Sequence, residues 1–443
     1  MHRLKLCRPG NYGCGCSRNN RCRHDNNRVN RRERNSNGKM RTSNLNRLLR
    51  HTAPHRFLLL CLPFTASCSE GSGTEPCAGL PTRTVLVYLA GDNNLEEIGR
   101  TPELLRQGWK DTGSKCLIYY DAPQAAPKLF ALTIRHSDAS SVLETVEEYP
   151  EENSSSAGVF GRVVADVVRK YPSDSYGLIF ASHGSGWLPC GALSDPTRTI
   201  GDDRTPGTTG GAREMEITDF AAAIPDHQFD FIIFEACLMS GIEVAYELRN
   251  KTDYLLASSA ELLVPGYAPV YPTAFQYLFD TSLGVPQALE KFAGSYFNYI
   301  DTRNGAYRSA TQSIVYTREM DALAILAGKT TGNTHGRWDD ALLGKLQHFD
   351  RPGSYGDIPA RPRYFDFGQY MAYLAPERQA DLDALLRKTV VWKAATPEFM
   401  AGYNGFTILT HSGLTTYIEQ DEFPELNAAY KKTAWWKATH VQK

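Results

Sequence analysis

The sequence predicts an α/β fold: an open, mostly parallel sheet with helices on both faces, followed by a more helical C-terminal subdomain. Three observations predict it. Short apolar runs (Thr84–Ala90, Lys115–Tyr120, Tyr176–Ser182, Phe229–Glu235, Tyr254–Ser258) recur between stretches of helical spacing. Near-continuous apolar runs of strand length are what strands buried on both faces require. Two of those runs stop abruptly at reactive side chains, His183 and Cys237, 54 residues apart. From about residue 285 the pattern changes and becomes mainly helical.

The elements follow in order. After the first strand, Gly91-Asp92-Asn93-Asn94 is turn and N-cap chemistry leading into a helix near Leu95–Gln107. Lys115–Tyr120 is the second strand, and the alternating Lys128–Ile134 suits an antiparallel arm. Gly158–Lys170 carries Val159, Val163 and Val167 on one helical face. The strand ending at His183 precedes a long polar loop near 187–213 and a helix near Ile217–Ala223. The strand ending at Cys237 is expected to pass directly into a helix at Leu238–Arg249, before a strand at Tyr254–Ser258. Helices are expected at Pro286–Tyr299, Arg318–Leu326, Trp338–Leu346 and Asp381–Trp392, with a strand-like run at Gly405–Thr410. The change to a helical pattern sets a main domain over 82–318 and, over 319–443, a C-terminal subdomain or a wrap onto the first.

The amino-terminal end is a different object. The chain has 443 residues and a net charge of −1, yet residues 1–56 hold 15 of the 48 Lys/Arg and only 2 of the 49 Asp/Glu. Arg47, Arg50 and Arg56 precede an apolar run that is too short to span a bilayer and suits the core of a signal peptide. Thr65-Ala66-Ser67-Cys68 then resembles a bacterial lipobox, which would leave Cys68 as a lipidated N-terminus. A signal peptide over 40–67, starting at Met40, makes residues 1–39 an upstream extension from a misplaced start. Cys14-Gly15-Cys16 and Cys22 lack the paired spacing of a zinc finger, so no nucleic-acid partner is expected. Residues 68–81 are a Gly/Ser/Pro tether. The mature part would keep few cysteines, which argues against a disulfide scaffold.

The two strand ends carry the chemistry. Ligands collect at the carboxyl ends of strands in open parallel sheets. A thiol there with an imidazole beside it is a nucleophile and its base. A Cys in an apolar segment is more often a small core residue, and a His at a strand end more often a cap; the pairing tips both toward catalysis. Gly184-Ser185-Gly186 lets the backbone turn sharply after His183. The N–H groups of Gly184 and Cys237 are then natural oxyanion donors. Glu235 shares the strand face of Cys237, since residues i and i+2 point the same way. A serine hydrolase would need a Gly-x-Ser-x-Gly elbow, and His183-Gly184-Ser185-Gly186-Trp187 does not supply one.

Ser182-His183-Gly184, followed about 50 residues on by Glu235-Ala236-Cys237-Leu238-Met239, resembles the clostripain family of cysteine peptidases, of the caspase, legumain and gingipain clan. Tyr88-Leu-Ala-Gly-Asp92-Asn-Asn-Leu95 and Ala257-Ser-Ser-Ala-Glu261 add to the likeness, which covers roughly 82–270. The resemblance implies a caspase-like fold, a His183/Cys237 dyad and cleavage after Arg or Lys. It also implies an acid two residues before the Cys, where this chain has Glu235; Glu261, Asp202 and Asp203 are rival acids for substrate binding. Family members are often cut between the His and Cys strands. Arg198 is the expected site of self-cleavage, with Arg204 and Arg213 as alternatives, against a surface loop that is never cut. Calcium is conceivable from the family, but no EF-hand-like loop supports it, and no metal site is expected.

The expected protein is therefore a cysteine endopeptidase acting on protein or peptide substrates. It is exported to the bacterial cell envelope and held at the outer membrane or cell surface by a lipid on Cys68. The alternative is a surface lipoprotein that keeps a peptidase-like fold as a binding or adhesion module, because fold does not fix function.

Overall fold

A computed structural model describes residues 82–193, 200–204, 214–331, 340–354 and 360–440. The proposed signal peptide, Cys68 and the tether lie outside the described residues, as do Arg198 and Arg213 of the polar loop.

The strands are β1 (Arg83–Ala90), β2 (Lys115–Asp121), β3 (Lys128–Ile134), β4 (Ser141–Glu148), β5 (Ser175–Ala181), β6 (Phe229–Glu235), β7 (Thr252–Ala257) and β8 (Thr311–Tyr316). The two-residue β9 (Phe365–Asp366) pairs with Thr415–Thr416, and β10 is Val390–Ala395. The described residues build a nine-stranded sheet in the order β10-β8-β7-β6-β5-β1-β2-β3-β4. Its centre, β7-β6-β5-β1-β2, is parallel, and antiparallel strands close both edges. This is the fold class the sequence predicts.

Helices cover both faces, as buried strands require. One face packs α2 (Ala157–Lys170), α3 (Ile217–Ala222), α4 (Ile242–Glu247) and α7 (Met320–Thr331) over Leu86, Tyr88, Phe180 and Phe234. The other packs α1 (Thr101–Gly108), α5 (Tyr271–Ala274) and α6 (Val285–Asp301) over Val87, Ile179 and Ile233. The alternation within β5 and β6 decides which side chain meets which face. In α2 the Ser156 hydroxyl accepts from the Val159 N–H at 3.3 Å and caps the helix, an arrangement that contributes about 1 kcal/mol. Val159, Val163, Val164 and Val167 then form its buried stripe. The core's aromatic centre is Tyr88, stacked on Tyr119 at 4.4 Å and on Phe180 at 5.4 Å.

Residues after 318 do not fold apart from this body. β10 pairs with β8 at the sheet edge, and Leu382, Tyr417, Tyr430 and Trp435 bury into the same core as α2 and α4. The run expected as one helix over Asp381–Trp392 is a helix over Gln379–Thr389 that changes into β10, where Thr389, Val390 and Val391 bring β-branching. The helix expected from Leu238 begins instead at Ile242, because Leu238 adopts φ +61° and cannot be helical.

Candidate active site

The site is built by register. β5 and β6 pair in parallel with Ala181 opposite Glu235, and the Ser182 N–H reaches the Glu235 carbonyl at 3.3 Å. His183 and Cys237 each lie two residues beyond that last pair, so parallel strands set about 4.8 Å apart carry them to the same edge. Their loops touch. A Cβ placed on Gly184 would stand 2.8 Å from the Cys237 carbonyl oxygen and 3.0 Å from the Met239 sulfur. One placed on Gly186, at φ +66°, would stand 2.8 Å from the Leu238 carbonyl oxygen. Glycine at both positions is the condition for the histidine loop to lie against the cysteine loop.

The cysteine loop is fixed from two sides. The Leu238 N–H donates to Ala260 O at 3.0 Å, and the Ser240 N–H to Ser258 O at 3.0 Å. From the C-terminal part, the Thr415 N–H donates to Ser240 O at 2.9 Å, while the Ser240 hydroxyl donates to Gly413 O at 2.7 Å. These bonds hold the left-handed Leu238, a conformation that costs about 1 kcal/mol or more for a residue with a Cβ and persists where its surroundings over-determine it. The histidine loop has its own support, since Tyr364 donates its hydroxyl to Ser185 O at 2.6 Å. The helix N-terminus expected to touch Cys237 lies five residues on.

His183 Nε2 lies 2.7 Å from Asn94 Oδ1. A carbonyl oxygen only accepts, so Nε2 carries the hydrogen. Asn94 follows β1, and its turn is locked by Asn93. The Asn93 amide donates to Ala90 O at 2.7 Å and to Asp202 O at 3.0 Å, and its Oδ1 accepts from the Leu95 N–H at 2.8 Å. Sequence reading assigns this stretch to turn chemistry alone and misses the contact with His183. Cys237 Sγ lies 3.8 Å from Leu262 O. The Gly184 N–H has no acceptor among the described residues.

Glu235 and Cys237 line one cleft with His183, walled by Leu95, Ile98, Leu262, Val264 and Gly266. The Glu235 carboxylate accepts from the Tyr267 N–H at 2.7 Å and from the Tyr271 hydroxyl at 2.5 Å. Burial pushes its pKa up to about 7, against the opposite pull of those two donors. The other expected acids sit differently. Glu261 makes a bidentate pair with Arg351, with N–O distances of 2.8 to 3.1 Å. Asp202 pairs with Arg204 at 3.2 Å. Asp203 accepts from the Ser154 N–H at 2.5 Å and from its hydroxyl at 2.9 Å. Beside it, burial and then the Asp203 charge push Asp121 up to about 8, with Ser154 opposing. Neither Asp202 nor Asp203 lines the cleft. Among the described residues no group of three or more His, Cys, Asp or Glu side chains could hold a metal ion, and no helix is long and apolar enough to cross a membrane.

Known proteins resemble this chain in sequence and fold. The model of the clostripain family matches residues 87–325, which include every side chain of the cleft. Clostripain of Hathewaya histolytica is 26% identical over 290 residues, covering 58% of this chain and 52% of the relative, so the chain spans about half the length of that curated relative. An inactive zymogen C11 protease from Parabacteroides distasonis superposes with a TM-score of 0.66 at 29% identity, over 81% of this chain and 98% of the other. A secreted C11 cysteine protease from Bacteroides thetaiotaomicron, solved with an irreversible peptide inhibitor, gives 0.68 at 25% identity, over 81% and 99%. With a family match over more than half its length, on the sheet and loops just described, this chain belongs to the clostripain family of cysteine peptidases.

Proposed function

We propose that this protein is an exported endopeptidase in which Cys237 and His183 form the catalytic dyad and Glu235 selects Arg or Lys at P1. The observation that carries the reading is the single cleft shared by Cys237, His183 and Glu235 at the ends of β5 and β6. Asn94 accepts the Nε2 hydrogen, so His183 Nδ1 is the nitrogen that takes the thiol proton. The thiolate attacks the scissile carbonyl carbon, and the developing oxyanion is held by the N–H groups of Gly184 and Cys237. Collapse breaks the C–N bond; the imidazolium gives its proton to the leaving amine, and a thioester remains. His183 then takes a proton from water, whose oxygen attacks the thioester, and returns it to the departing sulfur.

Glu235 fits the selector role because its carboxylate lines the cleft with no cation in ion-pair range among the described residues. Glu261 is proposed as a brace, since Arg351 already neutralises it. Self-cleavage at Arg198 and lipidation at Cys68, with anchoring at the outer membrane or cell surface, complete the proposal; both rest on sequence motifs outside the described residues.

The test is hydrolysis of fluorogenic peptides with Arg, Lys, Asp, Asn or Ala at P1, using the wild-type protein and Cys237→Ala, while intact mass is followed. Cleavage after Arg or Lys that disappears in Cys237→Ala is expected, with a mass change mapping to 187–213 if the loop is cut. Silence on every peptide, with no labelling of Cys237 by a thiol probe, would favour the binding-module alternative.

A further inference from the structure

The acid at the cleft floor is held in an unusual way. Glu235 is one methylene longer than an aspartate, and its carboxylate is drawn back into the body of the protein. Each oxygen has one donor, the Tyr267 N–H at 2.7 Å and the Tyr271 hydroxyl at 2.5 Å. The seat is tight. A Cβ on Gly266, at φ +62°, would stand 2.4 Å from Glu235 Oε1. Tyr271 itself cannot yield, because it is fully buried and its carbonyl oxygen would meet a Cβ on Gly108 of α1 at 2.2 Å. Two neutral donors orient the carboxylate, but neither supplies a positive charge. An enclosed acid without a counter-charge holds its proton unless a cation arrives.

We propose that Tyr271 is a specificity-positioning residue: with the Tyr267 amide it clamps Glu235 so that a cationic P1 side chain supplies the missing charge, and discrimination in favour of such a side chain rises with pH. The proposal rests on the P1 reading above and adds how the selector is tuned. The titratable groups around Glu235 permit it. Tyr267, Tyr271 and Tyr296 of α6 are buried phenols held neutral well past neutrality. Glu97, across the cleft, is paired with Arg100 at the surface. His183 and Cys237 share the cleft, but in the proposed mechanism they act on every substrate alike.

That last point gives the experiment. For two peptides that differ only in Arg or its uncharged isostere citrulline at P1, the ratio of kcat/KM values cancels the dyad's own titration. The ratio reports the free enzyme's Glu235. It is expected to climb by up to about tenfold per pH unit below the Glu235 transition near pH 7, then level off. In Tyr271→Phe the plateau ratio should fall about tenfold and the rise should move to higher pH, because a hydrogen bond to the ionised form is gone. Citrulline cleavage should hold. A strong Arg preference that is flat from pH 5.5 to 8.5 overturns the inference while leaving the P1 reading intact. So does a Tyr271→Phe protein that loses both substrates in equal proportion. Equal cleavage of Arg and citrulline peptides at all pH values overturns the P1 reading itself. The wild-type profile decides the matter even if the variant folds poorly.

Discussion

Two glutamates, Glu235 lining the cleft and Glu261 next in sequence to the cleft residue Leu262, are in opposite electrostatic states. Glu261 is clasped by the Arg351 guanidinium in a bidentate pair. Glu235, on the floor, meets only an amide and a phenol. The paired acid has its oxygens taken up by Arg351 and little left to offer a ligand. The unpaired one has its pKa raised by burial and gains most from an incoming cation. Two residues of one type, both beside a cleft, thus divide into a strut and a receptor according to what reaches them from 90 residues away.

The comparison can be broken most forcefully at the strut. Glu261→Gln leaves Arg351 enclosed without its partner and should cost about 3 kcal/mol of unfolding free energy, read by denaturant titration, with the ranking of P1 residues unchanged. A changed P1 ranking with stability intact would reverse the two roles. Glu235→Gln should do the converse, lowering kcat/KM on P1-Arg peptides by about 30- to 100-fold while citrulline peptides are cleaved nearly as before. Asn94→Ala sharpens the contrast by acting on neither acid. The imidazole loses its orienting acceptor, so kcat should drop about tenfold or more for Arg and citrulline peptides alike. Unequal losses would mean that Asn94 also reads P1.

The smallest effect is on stability against pH. An acid whose folded pKa stands above its unfolded value makes the fold lose stability as pH rises between the two, here from about 4.5 to about 7. Glu235→Gln should therefore melt a few degrees higher than wild type at pH 8 and at nearly the same temperature near pH 4. Equal melting temperatures at pH 8 would show that the floor carboxylate is not penalised by burial.

The parallel centre of the fold was legible because β1, β5 and β6 are apolar on both faces. The edges were not. β4 (Ser-Val-Leu-Glu-Thr-Val-Glu-Glu) is half solvated and reads as polar loop. β8 begins Thr311-Gln312-Ser313, polar residues that look unfit for a core. Partners distant in sequence meet two of them: the Tyr267 hydroxyl donates to Gln312 Oε1, and the Ala260 N–H to the Thr311 hydroxyl. His183 and Cys237, the proposed dyad, stand out from strand ends alone, since a strand stopping at His or Cys is a local signal. Asn94 opposite His183, and Arg351 opposite Glu261, are contacts across 89 and 90 residues, and no spacing rule reaches that far.

The late stretch Gly413–Tyr417 has a bearing on the order of assembly. It runs beside the cysteine loop, bonded to Ser240 and bridged to Gly241, and its Tyr417 amide and Thr416 hydroxyl donate to Oε1 of the buried Glu243 of α4. A nascent chain that has reached residue 400 already contains His183, Cys237 and Glu235, yet lacks the strand that sets the shape of the loop between them. During synthesis Cys237 therefore emerges some 180 residues before the end of the stretch that fixes its loop.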